Sequence, residues 1–570
     1  MQVRKNFRIA IFAVTMLFAF SACDIGTGNN EPTEGRYGDF SWRIVSGEIR
    51  ITRYFSNDTT LNIPPQINGK PVTVIGHGAF AGNQLTQVTI PDSVRTIERD
   101  AFTGNQLTQV TIPDSVITIG DSAFSHNRLS QITIGNRVTT IGGGAFSNNQ
   151  LTQITIPDNV RTIGGFAFSR NQLTRVTIPD GVIYLSGFAE NQLTQINIPD
   201  SVTTIGSMAF SYNRLTQVTI PDSVTSIGPG AFLDNQLTQI IIPESVTRIE
   251  WSAFSDNRLA QVTIPDSVTS LEFMVFANNQ LTQVTIPDRV TNIGFAAFSG
   301  NRLTEINIPG GVTSIGGSAF YGNHLTQVII PSRIRTIEER TFRRNRLTEI
   351  NIPDGVTSIG YAAFADNQLT QAVIPNSVTS IGERAFYNNQ LTEVNIPSRV
   401  RTIEQSAFQN NQLAQVAIPN NVTSIGVRAF QNNQLSEVTI GSRVGIIGDS
   451  AFQNNHLTGV TIPRSVTSIG PSAFAGNQLS QLVIPDGITS IWDSTFRNNR
   501  LTELVIPRSV TAIWSLAFAD NQLTRITIGA GVHLDQNVIG GGFEAAYSES
   551  GRAAGIYTRP NANSTSWTRQ

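Results

Sequence analysis

From Leu85 onward, apolar and polar positions recur in one phrase. "LTQVTIPDSV" opens at Leu85 and again at Leu107, 22 residues later. Leucine holds this register at 21 positions to Leu523; nineteen intervals are 22 residues and one, Leu173 to Leu193, is 20. The unit reads L-T-Q-V-T-I-P-D-S-V-T-S-I-G-x-x-A-F-x-x-N-Q. Val88 and Ile90 alternate with Gln87 and Thr89, the period of a strand with one buried face. Proline follows in 18 of the 21 units, replaced by Gly135, Gly441 and Gly529 in the others. Proline cannot donate to a strand ladder, so the strand is predicted to end there and the chain to turn. "VTSIG" adds two apolar residues, and "AF" a further inward point on a tight helical or 3₁₀ turn.

Such a unit has nothing of its own to bury these side chains against, and only stacking on both neighbours closes a core. Periods of roughly 20–29 residues that begin L-x-x-V-x-I belong to leucine-rich-repeat solenoids. The expected fold is therefore a repeat solenoid, mainly β. It is a leucine-rich-repeat-type right-handed coil with a parallel strand ladder and about 21 units of 22 residues. Short non-strand or 3₁₀ turns are expected on the opposite side. Strands about 4.8 Å apart predict an inner edge on the order of 100 Å. The 570 residues thus count mostly as one elongated domain rather than several globular ones. The short unit, Leu173 to Gln192, keeps Pro179, Phe188 and Asn191. Its two missing residues are placed between Val182 and Phe188, and the ladder is expected to pass unbroken through Val176.

Two columns have no exception. Phenylalanine recurs from Phe80 to Phe518, and its Ala-Phe context favours a core spine over a ligand-stacking ladder. Asparagine recurs from Asn83 to Asn521 and is expected to bond backbone groups of the next coil. Neutral amides without carboxylates are poor metal ligands, so this column reads as structural.

Charge is balanced, with 39 basic and 41 acidic residues, which leaves no global field to draw nucleic acid or an anionic membrane. The single cysteine, Cys23, excludes an intramolecular disulfide and multi-cysteine zinc sites. It closes a stretch in which Arg4, Lys5 and Arg8 precede an apolar run from Ile9 to Phe20. That run is shorter than the roughly 20 residues a bilayer span needs and reads as a signal peptide. Ser21 and Ala22 before Cys23 resemble a bacterial lipoprotein cleavage box, which implies acylation of Cys23. The alternative is an ordinary signal peptide with an incidental cysteine. The predicted organisation is a signal peptide (1–22), a Gly/Asn-rich tether (23–39), a β-rich N-terminal cap (40–84), the solenoid (85–530) and a C-terminal capping segment (531–570).

The Pro, Gly, Ala-Phe and aliphatic positions together resemble the BspA-like class of bacterial leucine-rich repeats, over about 450 residues. The family's usual unit is about one residue longer and often carries Cys where this chain has Asn. The segment from Phe40 to Phe80 resembles the family's strand-rich N-terminal cap, its "INGKPVTVIGHGAF" leading directly into the first full repeat, and "GRAAGIYTRPNANSTSWTRQ" resembles a short β-rich closing segment. The resemblance implies a surface or secreted protein that adheres to host matrix proteins, other cells or host receptors.

Nothing in the pattern points to catalysis. The five histidines are scattered, with His126, His324 and His456 read as solvated substitutions near the Asn column. No phosphate loop, nucleophile elbow or zinc signature occurs. The Asp after Pro (Asp92, Asp114, Asp158, Asp180, Asp200, Asp222, Asp266, Asp288) would stack one coil apart and could recruit calcium, but turn chemistry accounts for it. A surface copied 21 times suits binding better than a unique reactive constellation.

The candidate binding face is the outward column pair of the strand: Gln217, Thr219, Gln239, Ile241, Gln261, Thr263, Gln283, Thr285, Glu305, Asn307, Gln327 and Ile329. Ile241, Ile329, Val373, Val483 and Val505 interrupt it with apolar side chains. The expectation is a non-enzymatic, cofactor-free, monomeric protein, exported and lipid-anchored at the outer membrane or in the periplasm. It would bind a protein or glycan on a host or neighbouring cell, touch membrane only through its lipid, and bind no nucleic acid. A stiff spacer or envelope coat without a ligand is the alternative.

Overall fold

The Thr-Ile dipeptide in the second half of the unit builds the most persistent sheet. The computed structural model describes residues 33–570, so Cys23, the signal segment and most of the tether lie outside the described residues. Each of the 21 units contributes a two-residue strand, from Thr96–Ile97 to His533–Leu534. They pair in parallel and in register, as Thr118 does with Thr96 and Thr140, in six runs separated by five breaks. The outward Thr or Ser and inward Ile make each a minimal half-buried strand.

The Thr-Ile ladder is an addition to the sequence expectation; the short non-strand turns follow it, and Ala-Phe sits in them. The Gln-Val-Thr segment forms strands in only nine of the 21 units, among them Gln87–Thr89, Gln109–Thr111 and Gln131–Thr133. Between Leu151 and Leu347 its pairing shrinks to bridges of Asn197 with Thr219, Ile241 with Thr263, and Thr263 with Thr285.

Proline explains part of this. Three of the pairs on this side, Gln109–Thr111 with Gln131–Thr133, Gln415–Ala417 with Glu437–Thr439, and Glu503–Val505 with Arg525–Ile528, end in a unit where glycine replaces proline. At Gly135 a Cβ would lie 2.3 Å from the carbonyl oxygen of Pro113, and at Gly441 2.4 Å from that of Pro419. Without a side chain the backbone draws close enough for Ile112 N–H to reach Thr133 O at 2.8 Å.

The core is one continuous cluster along the described chain. Its axis is the phenylalanine spine. Twenty successive ring pairs from Phe80 to Phe518 stack within 17° of parallel, 5.0 to 6.0 Å apart, which carries the spine over 100 to 120 Å. Beside it runs the asparagine column. Asn105 accepts from Leu85 N–H at 2.9 Å and donates to the carbonyls of Phe80 at 2.7 Å and Phe102 at 3.0 Å. The coil so bound is the preceding one, not the next. Phe102 N–H donates forward to Ala123, so its carbonyl is left for an amide to satisfy.

Two turn positions per unit adopt left-handed backbone. The one before the invariant Asn is mostly Asn, Asp or Gly, the residues that tolerate φ > 0. The one before Ala-Phe accepts Met208, Met274, Arg340, Arg428 and Leu516 at φ between 52 and 57°. Neighbouring coils hold these residues where their own preference does not.

The short unit also departs from expectation. No strand forms around Val176, and the sheet that begins at the N-terminus stops at Thr162–Ile163, to restart separately at Tyr184–Leu185. Only Ser186 and Gly187 remain between Leu185 and Phe188, and the Ser186 hydroxyl reaches Ile163 O at 3.4 Å where other units use a backbone N–H. The ladder breaks here, as it does at four junctions between full-length units, while the spine and the Asn bonds continue: Phe168 to Phe188 is 5.5 Å, and Asn191 still donates to Phe168 O at 2.9 Å.

Both ends are covered. Strands Glu34–Tyr37, Phe40–Val45 and Glu48–Tyr54 form an antiparallel meander that joins Lys70–Ile75 and then Thr96–Ile97. Tyr54 and Phe40 lie 5.5 and 6.3 Å from Phe80, closing the spine. At the C-terminus Gly555–Thr558 folds antiparallel onto Arg525–Ile528. The closing segment is not purely β: helix Phe543–Glu549 packs Phe543 against Tyr557 and Trp567. Arg559, almost fully buried, donates to Leu523 O.

Candidate binding surface

Alternation in the first half of the unit turns Leu, Val and Ile inward and leaves Gln, Thr and their substitutes outside. All twelve residues of the expected face, Gln217 through Ile329, are exposed. Ile241 and Ile329 are the extreme cases, 81% and 82% exposed on an otherwise polar column.

The structure gathers only part of this face into a concavity. A trough of about 1190 Å³ runs from Ser130 to Ile241, and Gln217, Thr219, Gln239 and Ile241 lie in it, while Gln261 through Ile329 do not. Arg175 is its one charged lining residue. Much of its wall, including 153–155 and 175–177, belongs to no paired strand. A second trough of about 580 Å³ on the same columns includes Val373, Glu393 and Glu437. Gln and Thr offer donors and acceptors at every coil, with Val and Ile stems between them, which suits an extended polar chain laid across the coils.

The other candidates fall elsewhere. Asp114 uses its carboxylate to accept Asn136 N–H of the following coil at 2.7 Å, a turn-to-turn clasp. Among the described residues no three His, Cys, Asp or Glu side chains converge on a metal position. His126 and His456 are exposed, but His324 is half-buried. Burial first, then the charges of Arg346 and Arg302, holds its pKa below the usual histidine value.

One surface feature escaped the sequence reading. Trp251, Phe273 and Phe295 occupy one column just before the Ala-Phe turn in three successive coils and remain exposed, and the two phenylalanine rings stack at 5.5 Å. Their 22-residue spacing, in a column held elsewhere mostly by Gly, Ser, Pro, Asp or Glu, was the available signal.

The repeats match the family described as BspA type Leucine rich repeat region (6 copies), in overlapping stretches 73–189, 183–280, 269–389, 337–458 and 425–538. The chain belongs to the BspA-type leucine-rich repeat family. Both troughs of this BspA-type chain lie inside the matched repeats. No curated protein matches the chain. Similar solved structures include YopM from Yersinia enterocolitica (18% identity, 68% of this chain and 85% of that one, TM-score 0.42). A leucine-rich repeat protein from Bacteroides ovatus is 21% identical over 82% of this chain and 93% of that one, with a TM-score of 0.36. A leucine rich cell surface protein from Faecalibacterium prausnitzii is 23% identical over 80% and 97%, with a TM-score of 0.23.

Proposed function

We propose that this BspA-type protein is a non-catalytic, envelope-anchored binding protein that takes an extended segment of a macromolecular partner, protein or glycan, on its Gln/Thr face. The observation that carries the reading is the trough from Ser130 to Ile241, where polar columns and strand-free backbone line one continuous concavity. Binding should be saturable on an array of purified matrix proteins and cell-surface glycans. Thr219→Asp with Ile241→Asp should abolish it without lowering the unfolding midpoint; binding that survives the pair removes the trough from the reading.

The uniform spine supports a second reading, a stiff spacer, for which no ligand on such an array would show saturable affinity. The anchor is proposed on the sequence "LFAFSACD" ending at Cys23 and Asp24. Cys23→Ser should end fatty-acid incorporation and release the protein from membranes. Among the described residues no helix is long and apolar enough to cross a membrane. Protease shaving of intact cells distinguishes a surface from a periplasmic position.

A further inference from the structure

A second polar cavity, of about 490 Å³, opens on the Ala-Phe turns, lined by none of the trough's columns. It crosses three coils. Ala362, Ala365 and Asp366 line it from the middle coil, Arg343 and Arg344 from the coil before, Arg384 and Tyr387 from the coil after. Alanine at two of the three middle positions leaves a slot between cationic side chains, and the third, Asp366, is paired with Arg343.

The arginines are poised differently from ordinary surface charges. Arg343 is held by Asp366, Nε to Oδ2 at 2.9 Å, and Asn388 fixes the other carboxylate oxygen at 3.0 Å. Arg344 lies over the ring of Tyr321 at 5.8 Å, and Arg384 over Tyr387 at 5.9 Å. Arg384 also donates to the Tyr361 hydroxyl at 3.3 Å. Neither Arg344 nor Arg384 has a carboxylate partner among the described residues, so both guanidinium forks keep donors free for an oxyanion. Glu339 and Glu383 stand next to Arg340 and Arg384 in the sequence, and neither pairs with Arg344 or Arg384 among the described residues. One unit, Leu325 to Arg346, carries six arginines in a chain that is otherwise nearly neutral.

The surface beyond the slot carries a different chemistry. Asn410 donates to the Tyr387 hydroxyl at 3.2 Å, Asn432 to Asn410 at 2.9 Å and Asn454 to Asn432 at 2.9 Å. A glutamine column runs beside them, Gln409 to Gln431 at 2.6 Å. Carboxamides at every coil match the hydroxyl groups of a sugar chain, and tyrosine rings offer a face to its C–H side. The coil rise of 5.5 to 5.6 Å along this stretch is close to the length of one pyranose in an extended chain.

We infer that the slot between Arg344 and Arg384 and the amide columns leading from it form a binding site for an acidic polysaccharide, its carboxylate or sulfate group seated on the two guanidinium forks. This site is separate from the Gln/Thr trough, and neither depends on the other.

The test is surface plasmon resonance of the full chain against a polyuronate oligosaccharide, a sulfated oligosaccharide and neutral dextran. One or both acidic chains should bind saturably, weaken with salt and leave dextran unbound; which of the two binds identifies the anionic group. Arg344→Gln with Arg384→Gln should weaken binding at least about tenfold. Arg464→Gln with Arg508→Gln removes the same charge from exposed positions elsewhere and should change little. Equal loss in both double variants would reduce the effect to net charge and overturn the site. So would binding of neither acidic chain, or binding of anionic phospholipid vesicles alone.

Discussion

Asn301 donates to the carbonyl oxygen of Phe276, one coil back, at 2.9 Å, and to that of Phe298 in its own coil at 3.1 Å, while its own carbonyl accepts Leu281 N–H at 3.0 Å. One side chain thus ties three backbone groups where successive coils meet, beside the strand pair Ser270–Leu271 with Asn292–Ile293. Asn301→Ala leaves those buried groups unpaired, at about 1–3 kcal/mol for each that water cannot reach. The expected result is a local loss of amide protection around Leu281 by hydrogen exchange. An unchanged exchange rate there would remove the column's structural role.

Phe298 packs between Phe276 and Phe320 at 5.8 Å from each. Truncation to alanine should cost about 3–5 kcal/mol. In a one-dimensional stack the loss should split the array near that coil and leave distant coils folded. Two unfolding transitions in place of one are the expected calorimetric signature, and an unaltered curve would count against the spine.

Gly135 sits where the backbone passes too close to Pro113 for any side chain. Gly135→Ala should force the strand pair Gln109–Thr111 with Gln131–Thr133 apart, destabilising by roughly 1–3 kcal/mol. Faster exchange of the Ile112 amide, whose bond to Thr133 O depends on that approach, is the direct readout.

A change of opposite sign is expected at Arg428, exposed and left-handed at φ 56°. Arg428→Gly removes the Cβ strain of that conformation and should stabilise by about 1 kcal/mol. A thermal midpoint that rises on this substitution, and falls for Arg428→Val, would confirm that the turn and not the residue sets the backbone.

His324 gives the pH dependence. Its folded-state pKa is lowered, by burial and then by Arg346 and Arg302, so the unfolded chain binds the proton more readily. Its contribution to stability is full above the ordinary histidine range and declines as pH falls through that range. An NMR titration should place its midpoint below the ordinary value, and Arg346→Gln should raise it. A midpoint at or above the ordinary value would contradict this.

The unit boundaries, the inward Leu, Val, Ile and Phe, and the buried Asn column were all legible in the sequence, because a strict repeat places each residue type in an identical environment coil after coil. The left-handed turn before the invariant Asn left a signal as well, in the Asn, Asp and Gly that fill most of its positions. The turn before Ala-Phe was not, since Arg428 or Leu516 adopts positive φ only because the coils on either side leave the chain no other path. Which strands pair was likewise decided by tertiary structure. The Gln-Val-Thr segment forms strands in only nine units, and three of its five strand pairs end where glycine replaces proline and the backbone can draw in. The Arg344–Arg384 slot was invisible for a simpler reason. Its walls are 40 residues apart in sequence and meet across two coils, and the pattern of either unit alone does not record the alanines between them.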